Sequence, residues 1–449
     1  MLLNFTVKNW MSYQHAADLP LIGSLERQHK GTLAKIPGYR SRWALPVGAV
    51  YGGNASGKTA LFKAITALRN LVVEDVGVDG RLPLQPFLLQ ENASQKPVEF
   101  EITFLSGEAV YRYVVEAVQT GVVYESLETL TERAASYIYE REPGGDSSSF
   151  VFRESFFSDP GHVEYAAKST RPNQLFLGSA VAQNIAELEG AYRWFSEVLE
   201  LVGVESHSWS FAKAVGTRAG FLEFAGDTLS RLDTGIVGLM GEPVAVDLLP
   251  EDPSLDKAMR SLAEDEVITL VADRAAGDYG FEVITVSKTE GRLEAEKIKA
   301  LHRGPDGEVR ALNLTAESSG TQRLLGLLPM LFDLVGADGR AASKVCIVDE
   351  LDRCFHTMLT ARLIEDFTAT CGPETRKQLL FTTHDLLLMD QRLMRRDEMF
   401  IAQRGADGCS DLVSLAEFEG IRFDKDLVRS YLDGRFGGIP MLTEVVSRD

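Results

Sequence analysis

An octet of the form G-x-x-x-x-G-K-T, Gly52-Gly53-Asn54-Ala55-Ser56-Gly57-Lys58-Thr59, constrains this chain more than any other stretch. An apolar run at 44–51 feeds it, and residues 60–68 carry apolar side chains at helical spacing behind it, so the reading is strand, glycine loop, helix. Glycines let successive backbone N–H groups converge on phosphate oxygens, and the following helix adds its positive end. In such a loop Gly52, Asn54, Ser56 and Gly57 shape the cradle, Lys58 reaches the β and γ phosphates, and Thr59 offers its hydroxyl to Mg²⁺. A chance glycine turn would lack the flanking strand and helix.

Three later segments add to it. Val345-Cys346-Ile347-Val348 reads as a buried strand whose end delivers Asp349 towards the Mg²⁺ and Glu350 towards an attacking water, although acidic residues after a strand are common by themselves. Glu317-Ser318-Ser319-Gly320-Thr321-Gln322-Arg323 leads into an apolar helix and makes a second anion-binding helix start; taken alone, capping by Ser318 or Ser319 explains it as well. Leu379-Leu380-Phe381-Thr382-Thr383-His384-Asp385 places His384 just past a buried strand end, within reach of a γ-phosphate or its water. A lone histidine is more often a structural hydrogen-bonder. The order of all four segments is what favours the chemical reading.

The composition leaves room for such a core. With 449 residues, 45% hydrophobic and 25% charged, the chain is expected to be globular rather than disordered, collagenous or disulfide-stapled. Its net charge of -19 disfavours nucleic acid as a partner, a local basic groove apart. Cys346, Cys354, Cys371 and Cys409 show neither a C-x-x-C pair nor zinc-ligand spacing, and read as reduced thiols of a cytoplasmic protein. The first ten residues alternate like a strand and do not look like a signal peptide. The most apolar later stretch, 324–335, is broken by Pro329 and Asp333 and is too short to cross a bilayer, so no membrane partner is expected.

Along the chain, Leu3, Phe5 and Val7 suggest a first strand, and 98–130 alternates as a hairpin or small meander beside the glycine loop. Helical periodicity dominates from 171 to 266, for example over 185–201, with breaks at Gly220, Gly241 and the 243–253 stretch. Strands resume at 267–271 and 281–286, and 345–348 and 379–382 look like buried parallel strands. The expected division is 1–170 as the N-terminal part of the core with its β lobe, 171–266 as an inserted helical subdomain, and 267–449 as the C-terminal part of the core. The fold class is therefore α/β, a P-loop nucleotide-binding core with a mixed sheet. His356 reads as a cap or packing residue, and Arg395-Arg396 as a solvated charge pair. The 242–266 stretch, with eight acids and two bases, reads as a solvated face with room for a basic partner.

The order glycine loop, S-S-G-T-Q, apolar-D-E, T-H-D resembles the ABC-type ATPase heads of the SMC, RecF and OLD classes, and Val7-Lys8-Asn9-Trp10-Met11-Ser12-Tyr13 resembles their first strand. More closely, 224–236, 317–328, 349–356, 381–390 and Tyr431-Leu432-Asp433-Gly434-Arg435-Phe436-Gly437-Gly438-Ile439-Pro440 resemble compact prokaryotic ATPases of two-component phage-defence systems, of the AbiL, RloA and PARIS kinds. The resemblance covers most of the chain at the level of motifs.

It implies ATP and Mg²⁺ as cofactors. It also implies that Ser318, Ser319, Gly320 and Gln322 form a signature presented in trans to the γ-phosphate on another subunit's Lys58, so that ATP joins heads into a homodimer or larger homo-oligomer. Thr321 stands where transporters carry glycine. Leu351-Asp352 would be the D-loop and His384 the switch histidine. Gln85, before Pro86-Phe87, and Gln90 both fit the Q-loop glutamine by position, with Gln85 preferred as a metal-side residue. No coiled-coil arm or cysteine hook appears, and the roughly 65 residues after His384 leave no room for an appended Toprim nuclease. The leading reading is thus an ATPase that senses or scaffolds, with Lys58, Glu350 and His384 as catalytic residues, a partner effector encoded nearby and a phage protein as trigger. The alternative is a RecF-like DNA clamp; a transporter motor is a distant third.

Overall fold

The computed structural model describes residues 1–144, 147–203, 207–250, 252–264, 266–273, 281–336, 343–418 and 426–438. Ile439 and Pro440 of the resemblance lie outside them, as do Glu251 and Asp265 of the acidic stretch. The chain forms two compact units: Met1–Leu201 with Ser343–Asp352 and Thr360–Asp449, and Val202–Ala342 with Arg353–Leu359.

In the first unit, alternation at Leu3, Phe5 and Val7 gives the Leu2–Lys8 strand, which pairs with Ala17–Pro20 on one side and Val98–Ser106 on the other. The expected hairpin is wider than its apolar alternation indicated. Five consecutive strands, from Val98–Ser106 to Ser147–Phe152, complete a seven-stranded antiparallel sheet with the first two. The second sheet has six strands, in the order Leu199–Val202, Ser343–Val348, Arg376–Thr382, Val47–Tyr51, Met399–Arg404, Ser410–Ser414. Ser343–Val348, Arg376–Thr382, Val47–Tyr51 and Met399–Arg404 run parallel, as near-continuous apolar runs buried on both faces require. The Lys58–Val73 helix shares one core with both sheets, through residues such as Leu61, Phe104 and Phe400.

Two buried polar groups tie this unit together. The Gln378 amide donates to the carbonyls of Leu2 and Leu45, both at 2.8 Å, and accepts from the Leu2 N–H at 2.5 Å. The Glu125 carboxylate accepts from the hydroxyls of Tyr113 and Tyr139 at 2.9 and 2.8 Å and from the N–H groups of Phe176 and Leu177 at 2.8 and 3.0 Å. It also pairs with buried Arg141 at 3.4 Å. Glu125 thereby anchors the N-terminus of the Phe176–Ala182 helix to the β lobe, and that helix runs so close to the Lys58–Val73 helix that a Cβ on Gly178 would stand 2.3 Å from the Val72 carbonyl.

The second unit corrects the expected helical insert. It starts at Val202 rather than 171 and carries a five-stranded antiparallel sheet, Ile236–Val244, Val267–Asp273, Phe281–Thr289, Arg292–Arg303 and Val309–Asn313. Gly241 and Pro243, read as breaks, lie in the Ile236–Val244 edge strand, where proline is tolerated. The helix expected over 185–201 is a short Glu189–Arg193 segment and a π turn at Trp194–Val198, followed by the Leu199–Val202 strand. No helix among the described residues is long and apolar enough to cross a membrane.

Candidate functional site

Parallel strands point their carboxyl ends the same way, so register decides which side chains meet there. Thr382 lies opposite Val50, and Phe381 opposite Val348. Gly52, Asp349 and Thr383 therefore leave the sheet at one rim.

Gly52 and Gly57 have φ of 148° and 112°, and a Cβ on them would stand 2.3 Å from the Ala402 carbonyl and 2.7 Å from Ser410 Oγ. Only glycine fits both the backbone and the space. The Tyr13 hydroxyl donates to the Gly57 carbonyl at 3.2 Å from behind. The Lys58 ammonium lies over the loop, donating to the carbonyls of Gly52 and Gly53 at 2.7 and 3.0 Å. Burial lowers its pKa, and the charges of Asp349, Glu350 and Asp352 oppose that shift.

The 290 positions between loop and second motif close at one contact, where Thr59 Oγ1 donates to Asp349 Oδ2 at 2.9 Å. The other Asp349 oxygen accepts from Thr382 Oγ1 at 2.6 Å. Glu350 follows with φ 53°, a left-handed conformation rare for a residue with a side chain. His384 Nε2 stands 3.8 Å from Glu350 Oε1, and its backbone N–H donates to Asp352 at 3.2 Å. Both the Glu350 and His384 side chains are about one-third exposed, at 35% and 38%, so water reaches them.

A cavity of about 690 Å³ opens over the loop. Asn54, Ser56, Lys58 and Thr59 line one part, and Glu350, His384 and Gln85 another. Of the two candidate glutamines only Gln85 lines it; the Gln90 amide donates to Asn9 at 2.6 Å and accepts from Lys96 at 2.8 Å. Ser56 Oγ is buried without a hydrogen-bond partner, the glycines hold the cradle open, and a hydroxyl and a carboxylate oxygen meet at Thr59 and Asp349. These residues fit a nucleotide phosphate chain with a hard divalent cation, with Lys58, Ser56 and the loop N–H groups on phosphate and Thr59 and Asp349 on the cation.

Ser318, Ser319, Gly320 and Gln322 belong to the second unit. Ser318 Oγ caps the Ser319–Val335 helix by accepting from the Thr321 N–H at 3.2 Å, and Ser318 and Ser319 are exposed. The Gln322 side chain, expected on a nucleotide, is instead buried and donates to the carbonyls of Leu314 and Glu317 at 3.3 and 3.0 Å, because the helix's first turn faces it inward. The Arg395-Arg396 reading is also corrected. Arg395 is buried, pairs with Asp397 at 2.6 Å and holds the carbonyls of Glu26 and Gln28, while Arg396 pairs with Glu26. His356 accepts from the Met358 N–H at 3.2 Å, a capping contact.

Sequence reasoning missed Ser12, Gln119 and Arg404, which line the cavity from distant segments, and Thr382. Of these only Thr382 carried a signal, its place two residues before His384.

Residues 48–390 match the family described as "AAA domain, putative AbiEii toxin, Type IV TA system". The chain belongs to that family. The match begins within the strand that feeds the glycine loop of this AAA-family chain and ends just past His384, so it takes in all four motifs. No curated protein matches it. Among solved structures it is similar to an SMC head bound to the C-winged helix domain of ScpA, at 13% identity over 92% of this chain and 97% of that one, with a TM-score of 0.43.

Proposed function

We propose that this chain is an ABC-type ATPase that binds and hydrolyses ATP. In its ATP-loaded state, copies assemble into a homo-oligomer that holds and releases an effector of an anti-phage defence system. The observation that carries the first part is the Thr59–Asp349 contact at 2.9 Å with Glu350 and His384 beside it, since it joins a phosphate cradle to a carboxylate able to orient water.

Lys58 and the loop N–H groups bind the β and γ phosphates, and Thr59 and Asp349 hold Mg²⁺, with Gln85 on the same side. Mg²⁺, when bound, would offset phosphate charge beyond what Lys58 neutralises. Glu350 orients the attacking water, and His384 stands where it can hold a γ-phosphate oxygen or that water. The Ser318-Ser319-Gly320 helix tip of a second copy, with its two serines exposed, completes the pocket in trans. The family's description as a toxin–antitoxin component supports an effector partner, and the net charge of -19 suits a basic protein better than a polyanion.

Equilibrium ATP binding and phosphate release test this together. Lys58→Ala should lose ATP binding, by about a hundredfold or more, and Glu350→Gln should bind ATP as wild type while turnover falls by about a hundredfold or more. Wild-type turnover in Glu350→Gln would contradict the role given to that carboxylate.

A further inference from the structure

Thr382 grips three consecutive residues of the acidic motif. Its hydroxyl donates to Asp349 Oδ1 at 2.6 Å, the same oxygen accepts from the Glu350 N–H at 2.7 Å, and its carbonyl accepts from the Leu351 N–H at 3.0 Å. A hydroxyl carries one proton. Accepting from Glu350 directs that proton to Asp349, so the two bonds specify each other. Thr382 is fully buried as the last residue of the Arg376–Thr382 strand, between Ser343–Val348 and Val47–Tyr51, and has no freedom to move away.

The grip has two consequences. The Asp349 carboxylate is held at both oxygens, by Thr59 from the helix after the glycine loop and by Thr382 from the sheet, which fixes the plane of the group. Glu350 sits at φ 53°, a conformation that a residue with a Cβ keeps only when its surroundings enforce it. The bonds from the Glu350 and Leu351 N–H groups to one residue are that enforcement, at a residue that lines the cavity.

We infer that Thr382 is a positioning residue for hydrolysis. Through one hydroxyl it orients the carboxylate that meets the cation and sets the backbone of the carboxylate that meets the water. The inference rests on the ATPase reading above, and its test separates the two.

The full-length chain is compared with Thr382→Val, which keeps the shape and loses the hydroxyl, and Thr382→Ser, which keeps the hydroxyl. Both turnover and ATP binding at graded Mg²⁺ are measured. Thr382→Val should bind ATP without Mg²⁺ as wild type does, need more Mg²⁺ for the same gain in affinity, and turn over about ten- to a hundredfold more slowly. Thr382→Ser should stay within about threefold of wild type in each. Thr382→Ala replaces the valine variant if the latter does not fold. Wild-type turnover and Mg²⁺ dependence in the variant without the hydroxyl would overturn the inference. So would a serine variant as impaired as the valine one, because the methyl group would then be what matters. A wild-type chain that binds ATP and releases no phosphate would sink the ATPase reading and with it the hydrolytic role of Thr382, while the Mg²⁺ dependence of binding would still decide whether Thr382 orients Asp349.

Discussion

Whether a buried carboxyl keeps its proton depends on what surrounds it, as Glu398, just before the Met399–Arg404 strand, shows. Glu398 is fully buried and accepts from the Arg395 N–H on Oε2 at 2.8 Å, and burial raises it from 4.5 to about 8 against the backbone hydrogen bonds of Arg395 and Val47 and the charge of Arg395. The folded protein thus holds a proton that the unfolded chain releases above its own pKa. The stability this group contributes is complete below pH 4.5 and declines as pH rises to about 8. Glu398→Gln cannot ionise and escapes the decline, so its stability relative to wild type should climb between about pH 5 and pH 8, by at most about 1.4 kcal/mol per pH unit. Chemical denaturation at several pH values reads this; a difference constant in pH would contradict it.

At the scale of elements, the β lobe and the Phe176–Ala182 helix are joined by one carboxylate. Glu125→Ala would strand buried Arg141 and unsatisfy the Tyr113 and Tyr139 hydroxyls, at a cost of about 3–5 kcal/mol. Urea unfolding measures it, and a loss below about 1 kcal/mol would show that the network rearranges freely. Elements of this kind were only partly legible in the sequence. The parallel strands were, because burial on both faces demands unbroken apolar runs such as Val345 to Val348. So was the glycine loop, whose signal is local. The Ile236–Val244 strand was hidden by its glycines and proline, which an edge strand tolerates and a sequence reading takes as punctuation. The place of Thr382 two residues before His384 put it near the site but could not name its partners, which follow from the register of Phe381 on Val348, and register between strands distant in the chain leaves no trace in residue spacing. The inward turn of Gln322 was likewise a matter of helix face, decided by the carbonyls of Leu314 and Glu317.

For the whole molecule, the pieces of the proposed reaction are divided between the two units. The phosphate cradle, both carboxylates and His384 belong to the first, and the serine-glycine helix tip, with its two serines exposed, to the second. A second copy that brings its helix tip to the bound nucleotide would make ATP the link between subunits, and hydrolysis the event that parts them. Glu350→Gln is the variant that separates these steps, because it leaves the cradle intact and removes the group that orients water. The decisive measurement is the mass of Glu350→Gln in solution by light scattering, with and without ATP and Mg²⁺. The account predicts that ATP raises the mass by a whole multiple, to a dimer or larger assembly. ATP bound at saturation with the mass unchanged would contradict it.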